Sequence, residues 1–246
     1  MARLPRIAAA DLPHHIMQIG NNRQPIFVDD QDRNAWREQL RESALNAGVE
    51  IHAYVQLDNH AHLLATPRKD PDGLGRMMQS LGRRYVATFN RRHARTGTLW
   101  EGRYRAAVVD PGSMLLACMR YIETHPARSG LVLDPSQFAW SSLAHHLGRR
   151  RDPLITEPQA WWALGNTPFD REAAYRRWLD EGTSLVEAKA ISIATRRGWP
   201  IGDEAAKRRL AKVLGRSVTA RPRGRPRRAP DESRTTADHP ATEPID

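Results

Sequence analysis

The chain has a single cysteine, Cys118, in 246 residues, which excludes an intrachain disulfide and a cysteine-based zinc site. Lysine is almost missing: Lys69, Lys189, Lys207 and Lys212 stand against 34 arginines. Long apolar runs are also lacking. No stretch approaches the ~20 residues that a membrane helix needs, and mean hydropathy is −0.64. The opening MARLPRIAAADLPHH holds too short an apolar stretch to serve as a signal peptide. These absences lead us to expect a cytoplasmic protein with no membrane partner.

What is present is positive charge. The formal net charge is +10, which calls for a polyanionic partner and, in the cytoplasm, a nucleoid-associated protein. Arginine suits bidentate phosphate contacts and stacking on bases, although a GC-rich genome yields the same bias. Position is more telling than the total. From Arg76 to Arg105 there are eight arginines against one acid, Glu101, with Trp100 and Tyr104 interleaved. Charge that tracks a backbone and rings that stack on bases suit single-stranded or hairpin DNA. The candidate contacts are Arg83, Arg84, Arg91, Arg92, Trp100, Arg103, Tyr104 and Arg105. Trp100 equally suits a core contact, and Arg91 and Arg92 a solvated helix face.

Periodicity orders the first 150 residues. HHIMQIG reads as a strand, and residues 29–46 as an amphipathic helix with Trp36, Leu40 and Leu45 inward, ended by Gly48. VEIHAYVQL and HAHLLATP are extended runs joined by Asp58-Asn59, which is hairpin chemistry. Residues 74–93 put Leu74, Met77, Met78, Leu81, Tyr85 and Phe89 on one helical stripe. RAAVVD is a short strand. Asp110-Pro111 then opens a helix through MLLACMRYIETH that Pro126 stops. Strand, helix, hairpin, helix, strand predicts an α+β fold with a ferredoxin-like antiparallel sheet and its helices on one face. The texture changes near residue 150, giving three regions: 12–150, a helical extension over 151–220, and a disordered tail over 221–246. The tail is first Arg/Pro-rich, then acidic. Its RPRGRPRR resembles an AT-hook, with Arg223 and Arg225 against the minor groove, or acts as a nonspecific electrostatic tether.

DNHAHLLATP carries the chemistry. His60 and His62 lie one residue apart on a strand, so both project from one face. Two adjacent imidazoles can share a metal ion; the plainer alternative is a half-exposed strand. In MRYIETHP, Tyr121 and His125 are four apart and share a helix face. A tyrosine beside such a histidine is a candidate nucleophile, or a half-buried ring next to a helix-capping histidine.

Together, NHAHLL, LGRRYVATFNRRHARTGTLWEGRYRAAVVD and LLACMRYIETHPARSGLVLDPSQFAWSS resemble the single-tyrosine HUH transposases, and more narrowly the REP-associated tyrosine transposases, over residues 12–150. The resemblance implies an RRM-like sheet whose histidines, here His60 and His62, hold Mg²⁺ or Mn²⁺. It implies that Tyr121 is the nucleophile and His125 the third ligand, where relatives have Asn or Gln. An all-histidine set is softer and favours Mn²⁺ or Zn²⁺. The implied activity is metal-dependent cleavage and rejoining of single-stranded DNA at palindromic hairpins through a 5′-phosphotyrosine. A non-catalytic DNA-binding protein that occupies the same hairpins is the rival reading. Both a monomer and a homodimer are compatible with the sequence.

Overall fold

The computed structural model describes residues 7–215. Arg223, Arg225 and the rest of the basic and acidic tail lie outside the described residues. The strands are β1 (His14–Ile19), β2 (Val49–Leu57), β3 (His60–Pro67) and β4 (Arg105–Val108). All neighbouring pairs are antiparallel, in the order β2-β3-β1-β4. That is the split β-α-β arrangement expected from the element order. β2 and β3 form a two-residue hairpin at Asp58-Asn59, with Leu57 opposite His60 and Val55 opposite His62. β1 lies on the other side of β3, with Met17 opposite His62.

Helix α1 (Asp30–Ala47) begins where the Asp29 carboxylate accepts from Asp32 N–H and ends at Gly48, which takes the left-handed φ of 65°. Trp36 and Leu40 point inward as expected, but Leu45 does not: it is 75% exposed. Ala44, four residues beyond Leu40, continues the buried stripe, and position 45 is rotated well away from it. Helix α2 (Gly73–Arg92) buries Leu74, Met77, Met78, Leu81, Tyr85 and Phe89, the stripe read from the sequence.

The two helices of the split β-α-β unit lie on a single face, as expected, and the other face is covered as well. Helices α1 and α2 cover one face, against Ile16, Ile51, Tyr54, Ala61, Leu63 and Ala65. The other face carries Ala53, Val55, Leu57, Leu64 and Ala107, packed against helix α3 (Leu115–Glu123). β2 and β3 are buried on nearly every residue, not on alternate ones, so both faces are covered.

The helix bearing Tyr121 is also broken. Asp110 Oδ2 accepts from Ser113 N–H and Oγ–H, so the segment after Asp110-Pro111 is a turn and α3 starts only at Leu115. Thr124 (φ −87°, ψ 0°) separates α3 from the short α4 (His125–Arg128). Pro126 does not stop the helix; it occupies the first turn of α4. Without an N–H, and with a ring that would crowd the Ile122 carbonyl, it makes an unbroken helix untenable. The freed Tyr121 carbonyl accepts instead from the Arg128 guanidinium, at 2.5 Å.

Beyond residue 142 come α5 (Leu143–His146), α6 (Gln159–Trp162), α7 (Pro168–Asp180), α8 (Leu185–Arg197) and α9 (Glu204–Leu214). Trp161, Tyr175, Leu179, Ile191 and Ile201 share one apolar cluster with α3 and the sheet. Helix α8, capped by Ser184 and by Gly198 (φ 72°), was not anticipated. It packs on β4 and β1, directly beside the histidines.

Candidate metal centre and nucleophile

Three imidazoles converge on the α3/α8 face. One ligand atom from each of His60, His62 and His125 lies within 4.8 Å of the other two. Strand alternation presents His60 and His62 side by side, and the break at Thr124 turns His125 back toward them. His60 Nε2 and His125 Nε2 are 3.3 Å apart, about the span of two donors held ~2.0–2.1 Å from one tetrahedral ion.

Each ring is held through its far nitrogen. Nδ1 of His60 meets Asn59 Oδ1 at 2.6 Å, and Nδ1 of His125 meets Ser129 Oγ at 2.8 Å. Nδ1 of His62 meets His15 Nε2 at 2.9 Å, and His15 Nδ1 meets Thr195 Oγ1 at 2.7 Å. Metal-binding histidines are usually oriented in this way. Burial, the main cause throughout, lowers His60 and His125 to about 4 and His15 to about 3, and pushes His62 well below the usual histidine range. All four rings are therefore neutral at pH 7, as ligation requires. The donor set fits a divalent cation.

Tyr121 flanks this group. Its ring is edge-on to His62 at 6.0 Å and to His15 at 5.5 Å, and lies 6.1 Å from His125. The Arg128 guanidinium sits 4.2 Å above it. A cavity of about 400 Å³ is lined by Tyr121 and the three histidines, with Arg23, Arg105, Arg196 and Glu101 among the charged residues of its wall. Three other phenols are engaged elsewhere: Tyr54 donates to Asp152, Tyr85 to Ile26 O and Tyr175 to Glu123. Tyr121 is the tyrosine that faces the histidine cavity.

The arginine-rich stretch is more mixed. Arg83, Arg91 and Arg103 are exposed, and Arg105 reaches the cavity. Tyr104 is half-buried against the core, and Arg84 forms an exposed pair with Glu42. Arg92 is clamped by Asp29, Gln31 and Asp32. Trp100 stacks on Tyr85 and packs against the core, so its ring is already occupied. Arg92 and Trp100 are thus the two of these side chains most fully engaged within the protein. The sequence reading missed His15, Arg23, Arg128, Thr195 and Arg196. His15 was legible only as part of a strand, and the others reach the site through turns and a helix with no local signature.

An antiparallel split β-α-β sheet that presents two strand histidines to a helix-borne tyrosine has the HUH transposase fold. Residues 8–125, the sheet with its helices α1 and α2 and on through α3, match the family described as "Transposase IS200 like". The fold is shared with a REP-associated tyrosine transposase solved with a REP hairpin. That structure is 18% identical, covers 65% of this chain and 93% of its own, and gives a TM-score of 0.50. A Deinococcus radiodurans R1 protein described as a transposase is 24% identical over 43% of this chain and 84% of its own, with a TM-score of 0.33. No curated protein matches. No helix of the described residues is long and apolar enough to cross a membrane.

Proposed function

We propose that this transposase cleaves and rejoins single-stranded DNA at palindromic hairpins, with Tyr121 as nucleophile. One observation carries the reading: a single tyrosine shares a cavity with three neutral imidazoles whose Nε2 atoms are left for an ion. His60, His62 and His125 would hold Mg²⁺, Mn²⁺ or Zn²⁺, which when bound polarises a phosphodiester and offsets developing charge. Tyr121 Oη gives up its proton and attacks phosphorus. The P–O3′ bond breaks, the departing O3′ takes a proton, and a 5′-phosphotyrosine remains. The Arg128 guanidinium over the ring favours the negative charge that the phenol develops. Arg23, Arg105 and Arg196 lie where phosphates flanking the scissile bond would pass. Attack by the free 3′-OH reverses the step without a nucleotide cofactor, because the phosphotyrosyl bond keeps the energy of the diester.

Arg83, Arg84, Arg91, Arg103 and Tyr104 would engage the hairpin, and that the hairpin is the substrate is supported by the REP hairpin bound to the fold relative. Tyr121 and all three histidines line one cavity of a single chain, which supports a site built within one protomer. The test is a labelled hairpin oligonucleotide with Mn²⁺ or Mg²⁺ on a denaturing protein gel. A covalent band should form and should be absent for Tyr121→Phe and His60→Ala. Tight binding without a band under any metal would favour a protein that only occupies hairpins. Cleavage retained by Tyr121→Phe would indicate a metal-dependent hydrolase.

A further inference from the structure

Residue Thr195 lies 70 positions beyond the segment that matches the family, yet its hydroxyl ends in the metal centre. It is buried on α8, with Oγ1 2.9 Å from the Ile191 carbonyl and 2.7 Å from His15 Nδ1. His15 Nε2 is in turn 2.9 Å from His62 Nδ1, with the two rings within 14° of parallel and their centroids 5.0 Å apart. A hydroxyl has one proton to give. Two oxygens 2.9 Å apart repel unless a proton lies between them, so that proton goes to the Ile191 carbonyl, the common back-bond of a helical threonine. The rest follows from valence. Thr195 Oγ1 must accept from His15 Nδ1–H, which leaves His15 Nε2 as a lone pair. That lone pair must accept from His62 Nδ1–H, which leaves His62 Nε2 bare. The opposite polarity would place a proton on His62 Nε2, where it would bar ligation.

We propose that Thr195 and His15 form a positioning relay that fixes His62 in its metal-binding tautomer, so that α8 is an integral part of the transposase centre. This rests on the metal reading of the three histidines. It also gives the C-terminal extension a chemical role, since Thr195 is followed by Arg196 in the same cavity wall.

Mn²⁺ binding to the full chain, measured by titration calorimetry without DNA, is the test, alongside thermal melting to confirm folding. Thr195→Val keeps the shape and removes the hydroxyl; affinity should fall about 10–100-fold. Thr195→Ser should restore it. If the wild type binds no Mn²⁺, the metal reading falls and the relay with it. If the wild type binds and Thr195→Val binds equally well, only the relay falls. Long-range ¹H–¹⁵N correlation spectra of the metal-free wild type at neutral pH need no variant. Protons on Nδ1 of both His15 and His62 are expected, and a proton on His62 Nε2 overturns the relay.

Discussion

Replacing Glu123 with alanine should destabilise the protein by about 3–5 kcal/mol, the range for removing one partner from a buried ionic cluster. Its carboxylate is fully buried two residues after Tyr121. Oε1 accepts from His146 Nδ1 at 2.6 Å and from the Ser142 hydroxyl, while Oε2 accepts from Tyr175 Oη at 2.7 Å. Truncation strands three donors from two segments, α5 with its cap Ser142 and α7, each donor worth ~1–3 kcal/mol when left without a partner. The sum overstates the effect, because the desolvation cost of the carboxylate disappears with it. Urea unfolding followed by circular dichroism should show a lower midpoint at unchanged slope. Tyr175→Phe alone should cost about 1 kcal/mol. Added to Glu123→Ala it should cost much less, since the phenol has already lost its acceptor. A loss below about 1 kcal/mol for Glu123→Ala, or full additivity with Tyr175→Phe, would refute the claim that this carboxylate ties α3 to α5 and α7.

His125→Asn, which replaces an imidazole donor by a harder amide oxygen, should shift the metal preference from Mn²⁺ or Zn²⁺ toward Mg²⁺, whereas His125→Ala should lose affinity for all three; competition titrations read both. Gly20→Ala should destabilise by about 1–3 kcal/mol, since a Cβ there would lie 2.3 Å from Gln24 O and 3.3 Å from Asn59 O. Because Asn59 also orients His60, hairpin cleavage should fall further than thermal stability alone accounts for. Burial opposes ionisation of Asp152, but hydrogen bonds from Tyr54 and Leu154 and the charge of Arg37 outweigh it, leaving its pKa depressed. The stability this contributes is fully present above the ordinary carboxylate pKa of ~3.9 and is lost as pH falls through the lower folded value. Asp152→Asn should therefore lower the urea midpoint at neutral pH and flatten its acid limb.

The sheet was legible because its signals are local. The Asp58-Asn59 turn sets the hairpin register, and once that register is fixed His60 and His62 must share a face. The α2 stripe was legible for the same reason. Leu45 was misplaced because an apolar residue near a helix end satisfies the pattern loosely, and a small residue, Ala44, took the buried position. The second covered face was harder to read. Its cover combines α3 with segments far along the chain, including α8, whose LVEAKAISIATRR shows little of its buried side. The site divided likewise. The three histidines and Tyr121 sit in short motifs, whereas His15, Arg128 and Thr195 join them only through distances that folding creates.

The central claim is tested most directly by mass spectrometry of the covalent product. The full chain is incubated with a hairpin oligonucleotide and Mn²⁺, digested with protease and nuclease, and the adduct is sequenced. A nucleotide joined through its 5′-phosphate to the peptide that contains Tyr121, with a free 3′-OH on the released strand, is the predicted result. An adduct on another residue, or cleavage that leaves 5′-phosphate and no adduct, would contradict it.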